Sequence, residues 1–394
     1  MRVRLAAFVA ATIVACVSAE ASAEPLDPAL ERLTLDPVFK DGQLTGYAPG
    51  SGCTNGNGQW NDVAGRDPRD LGISLPCTPD HASFKRLISQ YAFALAPTAM
   101  HSARTTGYGG FHLSMEADYT KISSGAYYWK TGTQGATDPS NGKSSASNAS
   151  VPSLLQLYSL KFRKSFGFGL EITGIVGFMP KTSIISGGSD VRLSLLEGFR
   201  TGLGGILPDV AVGGGVRTIT GTPQFQLTIA ALDAQISKPL PIADSSVLTP
   251  YVGYQYLWIF GDSGLIDLAP GTDALRYCGY AGQNLPGNPD PTKQVKTGMD
   301  NKSEIERNGY DGQPICKGGS PVEFNNNVVF NAARLERHRL IFGLNYRYEM
   351  VMLGGQFLID AVPPADAQNS AADKEVLKDE ARQWTMSFEL GAMF

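Results

Sequence analysis

From residue 107 onward the chain alternates apolar and polar positions with a period of two. Residues 383–394 show it most plainly. Trp384, Met386, Phe388, Leu390, Ala392 and Phe394 share one parity, and Thr385, Ser387, Glu389 and Gly391 the other. Successive side chains of a β-strand point to opposite faces, so this spacing predicts a strand with one apolar and one polar face. Over 111–122, Phe111, Leu113, Met115, Ala117 and Tyr119 alternate in the same way with His112, Ser114, Glu116, Asp118 and Thr120. The pattern recurs at 153–164, 168–179, 247–260, 338–348 and 351–360, and less regularly at 190–199, 209–220 and 225–238. Gly213, Gly214 and Gly215 predict a bulge or sharp bend, and a change of phase near Ala230 and Ala231 predicts another bulge. The sum is about ten strands, with twelve as the alternative.

Upstream the period differs. Phe84, Leu87, Ile88, Tyr91 and Leu95 recur at spacings of three and four, which predicts a helix over 80–95 that Pro97 stops. Residues 24–79 are rich in Pro, Gly, Asp and Asn and carry too little apolar surface for a core of their own. The segment 24–98 therefore reads as either a plug or a cover beneath a barrel. An apolar helical stripe would be poorly matched to a polar lumen, so the sequence favours the cover on the periplasmic side.

Lipid offers no water to satisfy loose backbone groups, so a sheet that crosses it must close on itself. Counting back from residue 394, the connections 123–152, 180–189, 221–224, 261–326 and 361–382 fall on one side. Those near 165, at 200–208, at 239–246 and near 349 fall on the other. Long connections collect outside and short turns inside, with 221–224 the one short exception, as in bacterial barrels with an even strand number. Tyr254, Tyr256, Trp258 and Trp384 then belong to an outer aromatic girdle, and Tyr346, Tyr348 and Phe394 to an inner one. A soluble two-sheet sandwich also alternates, but it requires neither the loop asymmetry nor this placement of aromatics.

The terminal strand closing on Phe394 resembles the assembly signal of bacterial outer-membrane β-barrels. Three further stretches, Phe93-Ala94-Leu95-Ala96-Pro97, Gly107-Tyr108-Gly109-Gly110-Phe111 and Thr249-Pro250-Tyr251-Val252-Gly253-Tyr254, resemble parts of exported porin-like barrels of unassigned function. The resemblance implies an all-β, closed, antiparallel up-and-down transmembrane barrel in the bacterial outer membrane. It also implies contact with outer-membrane lipid and lipopolysaccharide, and insertion by the barrel assembly machinery. It supplies no ligand.

Composition agrees. The chain of 394 residues is 42% hydrophobic and 18% charged with a formal net charge of −4, so no concentrated basic face invites nucleic acid. Mean hydropathy is −0.11, and beyond the first residues there is no apolar run of roughly 18 residues, the length a membrane helix needs. Arg2 and Arg4, the apolar run 5–17 and Ala21-Ser22-Ala23 form an export signal with cleavage expected after Ala23; the alternative is lipoprotein processing at Cys16. Cleavage leaves Cys53, Cys77, Cys278 and Cys316. Three pairings are open to them, and the sequence neighbours Cys53–Cys77 and Cys278–Cys316 are favoured, each closing one polar segment.

The inward faces collect Glu116, Asp118, Glu171, Asp233 and Glu389 with Arg192, Arg217, Arg339 and Arg347. Buried charges are tolerable when paired, which predicts a structural network; a polar path selecting small solutes is the functional expectation. The functional order of expectation is a passive or weakly selective conduit for small polar solutes, then a closed barrel presenting large loops to a partner. His112 and Ser114 share a face with two acids, yet same-face neighbours on a strand lie roughly 7 Å apart, too far for a nucleophile and its base. No enzymatic activity, cofactor or metal is expected; the Asn- and Asp-rich loops 55–67 and 284–300 do not match a calcium loop. Arg334, Arg337 and Arg339 near an outer strand end are candidates to face lipopolysaccharide phosphates.

Overall fold

A computed structural model describes residues 24–40, 43–49, 78–137, 147–197, 207–243, 245–268, 278–280, 314–316 and 327–394. Ten long antiparallel strands form the barrel: β1 (Phe111–Lys121), β2 (Leu154–Ser165), β3 (Leu170–Phe178), β4 (Ile185–Leu196), β5 (Asp209–Thr220), β6 (Phe225–Ser237), β7 (Ser246–Ser263), β8 (Ala333–Tyr348), β9 (Val351–Asp360) and β10 (Trp384–Met393). Each pairs with its neighbours in sequence, and β10 returns to β1 with Glu389 opposite Glu116 and Phe388 opposite Ala117. The sheet is therefore closed and up-and-down. Strands 190–199, 247–260 and 338–348 of the sequence reading are longer than expected, as the bounds of β4, β7 and β8 show.

The alternation sorts side chains by solvent. Phe162, Phe342 and Phe388 on the outside are 48%, 47% and 52% exposed, whereas Glu116, Glu389 and Arg339 on the inside are 2%, 3% and 1% exposed. A soluble protein rarely leaves more than a few hundred Å² of contiguous apolar surface in water. An apolar belt running around a closed sheet is what lipid requires.

The interior holds a surprise. Helix α1 (His81–Leu95) lies inside the barrel, not beneath it. Asp80 starts it, accepting hydrogen bonds from Ser83 N at 2.9 Å and Ser83 Oγ at 2.6 Å. Pro97 ends it by holding the preceding Ala96 extended at ψ 153°. Phe84, Leu87, Ile88, Tyr91 and Leu95 are all buried, packed against inward-facing Leu155, Leu157, Leu227, Ile229, Leu257, Ile259 and Leu335. The lumen thus has two zones. Its loop-side half is apolar and holds the helix; its short-turn half is polar and holds the segment that follows.

This division corrects three expectations. The helix is not mismatched to the lumen, because the inward residues nearer the loop-side rim are apolar and only those nearer the short turns are polar. No bulge occurs near Ala230 and Ala231, since β6 keeps register with both β5 and β7. Its apparent phase shift arises because both faces change environment together. Inside, Phe225, Leu227 and Ile229 give way to Asp233, Gln235 and Ser237, while outside Gln226 and Thr228 give way to Leu232 and Ile236. Gly213, Gly214 and Gly215 likewise stay in register, and the irregularity in that pair of strands falls between Ser194 and Leu196. A Cβ on Gly215 would strike the Asp190 carboxylate, so that glycine makes room for an inward charge.

Segment 24–34 continues the plug across the loop-side mouth. Leu26 N bonds Lys181 O at 2.9 Å, Ala29 N bonds Gly132 O at 2.9 Å, and Leu30 N bonds Gln224 Oε1 at 2.7 Å. Two short helices lie in the connections: α2 (Tyr127–Thr131), whose end meets this segment at Gly132, and α3 (Ala371–Val376), which meets α1 through Lys85 and Arg86. A short hairpin of Thr34–Lys40 and Gln43–Pro49 follows. The expected export signal, Cys16, Cys53–Cys77 and loops 55–67 and 284–300 fall outside the described residues. Cys278–Tyr280 pairs antiparallel with Pro314–Cys316, which sets Cys278 opposite Cys316 in register.

The packing of α1 sets a measurable expectation. Leu87→Ala removes a fully buried side chain and should lower stability by about 2–5 kcal/mol, read as a lower midpoint in urea unfolding in detergent. Gly261→Val should also destabilise, since a Cβ there would lie 2.5 Å from Ile88 Cγ2. An unchanged midpoint in both variants would mean that the helix does not rest against the wall.

Candidate functional site: the filled lumen

From the second half of α1 toward the short turns the interior is a set of paired charges. Arg337 binds Asp360 through Nε and Nη2, and its Nη1 donates to Ser89 O at 3.2 Å. Arg339 donates to Gln255, to Phe93 O at 3.2 Å and to Pro97 O. The last carbonyls of a helix have no partners within it and carry the negative end of its dipole. Here Arg339 meets Phe93 O in the last turn and Pro97 O just beyond it, while Arg337 meets Ser89 about one turn earlier. Phe93 itself lies between them, its ring centroid 4.5 Å from the Arg337 guanidinium and 5.1 Å from that of Arg339.

The segment after α1 is held by wall side chains as it descends. Lys161 Nζ donates to Thr98 Oγ1 at 3.0 Å and pairs with Glu116. Arg163 reaches Met100 O at 3.4 Å, Glu171 at 3.3 Å and His112 Nδ1 at 3.2 Å. Arg192 donates to His101 O at 3.3 Å, Gln235 at 2.8 Å and Asp233 at 3.1 Å. Arg217 grips Asp190 at 2.8 and 2.9 Å. Thr106 N reaches Glu171 at 3.2 Å just before β1 begins. The cavity left among Pro97, Met100, Lys161, Arg163, Arg192 and Asp233 measures ≈ 10 Å³, about the room of a single water.

Of the residues selected from the sequence, Glu116, Asp118, Glu171, Arg192, Arg217, Asp233, Arg339 and Glu389 all face this interior. Arg347 does not join them. It lies exposed at the short-turn rim, its Nε donating to Glu349 O at 3.1 Å, because its strand has by then left the filled part of the lumen. Lys161, Arg163 and Arg337 are lumen charges that the sequence reading left off its candidate set, although the parity of β2 and β8 already pointed them inward. The trio proposed to face lipopolysaccharide also divides. Arg334 is exposed and paired with Asp262 at 2.7 Å, whereas Arg337 and Arg339 point inward. Ser114 Oγ donates to Glu389 Oε1 at 2.5 Å and His112 meets Arg163, so serine and histidine have different partners.

On the outer wall, Tyr256 stacks edge-on against Trp258 at 4.5 Å and against His338 at 4.8 Å, and Tyr254 bonds His338. Trp384 packs against Phe357 at 6.0 Å near the loop-side end of β10. Tyr346 and Tyr348 end β8 at the opposite rim, where Phe394 N bonds Phe111 O at 2.7 Å. At the mouth, Gln90 Oε1 accepts from Ser123 N at 2.9 Å and from Trp129 Nε1 at 2.8 Å. Burial and the neighbouring Glu380 push the Tyr128 phenol upward, so it stays protonated and donates to Glu380 at 2.7 Å. No cluster of His, Cys, Asp and Glu suited to a metal occurs among the described residues.

A closed ten-strand barrel with a lipid-facing apolar belt and a charged interior is a transmembrane β-barrel of the bacterial outer-membrane class. No protein-family model matches the chain, and none of the curated proteins does. Among solved structures it is similar to Ail, the attachment invasion locus protein of Yersinia pestis, solved with the heparin analogue sucrose octasulfate. That match has 7% identity and a TM-score of 0.23, covering 73% of this chain and 100% of that one. Omp33 of Acinetobacter baumannii gives 8% identity and a TM-score of 0.22, with coverages of 73% and 97%. The translocator domain of the autotransporter NalP from Neisseria meningitidis gives 8% and 0.25, with coverages of 80% and 95%. At scores of this size the superpositions add nothing to the geometry, and the class rests on the barrel itself.

Two outcomes check the site. Arg337→Ala leaves Asp360 buried without its cation and should cost about 3–5 kcal/mol, whereas exposed Arg347→Ala should change stability by less than about 0.5 kcal/mol; urea unfolding of both variants decides it. The second concerns pH. Burial lowers the His81 pKa, opposed by Asp80 and reinforced by Lys85, and its neutral Nδ1 accepts from Asn331 N at 3.1 Å. The unfolded chain binds that proton near pH 6.5 and the folded one lower, so this contribution is present above about pH 6.5 and is lost as pH falls. Hydrogen exchange at 327–332 should therefore speed up between pH 7 and 5, after correction for intrinsic rates, and should not in His81→Gln.

Proposed function

We propose that the protein is a sealed outer-membrane scaffold that presents its loop-side face to a partner, in preference to a conduit for small solutes. The observation that carries this reading is the occupied lumen. Each fully buried large apolar side chain is worth roughly 1.5–3 kcal/mol, so the five along α1 hold it by on the order of 10 kcal/mol. The lumen charges support the same reading. Among the described residues Glu116, Asp118, Glu171, Asp190, Asp209, Asp233, Asp360 and Glu389 stand against Lys161, Arg163, Arg192, Arg217, Arg337 and Arg339. Both signs are present with a small acidic excess, and the cations are spent on backbone carbonyls and carboxylates rather than on a passing ion.

The face offered to a partner comprises α2, α3, segment 24–34 and the parts of the β7–β8 connection at 264–268 and 327–332. The register that sets Cys278 opposite Cys316 supports a bridge within that connection. No reaction is assigned to the interior.

Planar-bilayer recording tests the reading. The purified wild-type protein should give no conductance steps, and a Phe84→Ala/Leu87→Ala double variant that loosens α1 should give transient ones. Stable, open steps from the wild type would establish the conduit instead.

A further inference from the structure

The lipid-facing wall changes character in a fixed order along the β1·β10 seam. On β10 the outward residues Leu390, Phe388 and Met386 are exposed and apolar, and on β1 so are Leu113 and Met115. Nearer the loop-side end come two aromatics. Tyr119 stands edge-on to Phe388 at 6.3 Å, and Trp384 packs against Phe357 at 6.0 Å. Last come two cations. Lys121 ends β1 and Arg382 stands two residues before β10 begins, and both are exposed. Their neighbours Thr120, Ile122, Gln383 and Thr385 are buried, with the two threonine hydroxyls 2.8 Å apart. Alternation therefore sets both cations on the outward side. Gln383 Nε2 donates to Lys121 O at 3.1 Å, which holds the two chains together past the last rung of the ladder.

Between the two cations lies a groove of ≈ 350 Å³, lined by Lys121, Ser123, Ser124, Gly125, Ala126 and Arg382 with their neighbours, and by no acid. Its size falls within that of small-ligand sites, which begin near about 300 Å³. Among the described residues neither cation has a side-chain partner. Glu380, two residues before Arg382, is already taken, accepting from Tyr128 at 2.7 Å and from Gln90. Other cations at this end are spent: Arg334 on Asp262 at 2.7 Å and Lys85 on Asp373 at 2.5 Å. Two uncompensated cations beside an acid-free groove are the complement of a phosphate. The guanidinium offers phosphate oxygens a planar fork and the ammonium a compact charge. Diagonal neighbours on one face of a sheet lie about 7–8 Å apart, a span that two long side chains close around one phosphate.

The long connections 122–153, 264–332 and 361–383 share this end of the barrel, and outer-membrane barrels keep their long connections outside. We propose that the groove between Lys121 and Arg382 binds the phosphorylated headgroup of an outer-leaflet lipid, lipopolysaccharide, whose acyl chains lie along the β1·β10 wall. The order of the wall selects this occupant. Phosphate meets the two cations, Tyr119 and Trp384 stand at headgroup level, and the chains cover Met386, Phe388, Met115 and Leu390. A free phosphate uses only the first of these three layers. The lipid also acts on the seam. β1 and β10 stand at opposite ends of the barrel sequence and no turn joins them, so a headgroup held by Lys121 on one side and Arg382 on the other clamps the closing pair. The site lies on the outer wall and depends neither on the state of the lumen nor on a partner at the mouth.

Native mass spectrometry of the purified full-length protein in detergent micelles tests this. The probes are bis-phosphorylated lipid A (the membrane anchor of lipopolysaccharide), its dephosphorylated form and inorganic phosphate. The wild type should hold one phosphorylated lipid A. The Lys121→Gln/Arg382→Gln double variant, shown to be folded by its heat-dependent shift on a gel, should bind it about thirtyfold more weakly, about 2 kcal/mol for the two cations. The wild type should lose a similar factor on the dephosphorylated lipid, and inorganic phosphate should not displace the phosphorylated one. Lys181→Gln, which removes an exposed cation from the β3–β4 connection, should leave binding unchanged. Equal binding by wild type and double variant, equal binding of the two lipids, or displacement by inorganic phosphate would each overturn the proposal. An equal loss in Lys181→Gln would do so too, by assigning the attraction to overall charge. If the double variant fails to fold, the comparison of the two lipids on the wild type decides.

Discussion

The structure depends on filling the space that barrel closure creates. Ten strands enclose more room than short inward side chains can fill, and an empty or loosely wet interior would leave buried polar groups without partners. The chain meets this constraint with its own helix. Inward leucines, isoleucines and a phenylalanine near the loop-side rim receive the apolar stripe of α1, and inward Arg339 receives its carbonyl end. Apolar surface and unpaired backbone are thereby satisfied by one element, which is why neither zone of the lumen makes sense without the other.

That fit changes what the interior charges mean. A row of arginines and carboxylates on a barrel wall ordinarily suggests a selective path. Here the cations meet fixed acceptors: Asp360 and Ser89 for Arg337, Gln255, Phe93 and Pro97 for Arg339, Met100 and Glu171 for Arg163. Removing one member of such a set exposes the other to desolvation it cannot avoid. The charges act on position and stability, and the functional surface moves from the lumen to its loop-side mouth.

Much of this was legible in the sequence, because period two reports the pleat directly. Closure, strand number and the parity of Glu116, Asp118, Glu171 and Glu389 all followed from it. So did α1, with its stop at Pro97. What periodicity does not carry is environment along a strand. β6 shows the difficulty: Leu227 and Ile229 point inward and Leu232 and Ile236 outward, so the apolar set changes face without any bulge. Read as a register slip, this concealed the apolar half of the lumen, and with it the place of the helix. Phe93 was missed for a related reason. It lies off the apolar stripe because its partners are two guanidinium groups on β8, far away in sequence. Arg347 shows the converse, since parity points it inward but not how far the filled interior extends.

The most direct test of the account is the proximity of α1 to the inner wall in a lipid environment. Methyl-labelled protein in nanodiscs should show a nuclear Overhauser contact between the Ile88 methyls and Gly261, with those methyls shielded from a lipid-soluble relaxation agent. Ile88 methyls that instead contact lipid or water, with no cross-peak to the β7 wall, would contradict it.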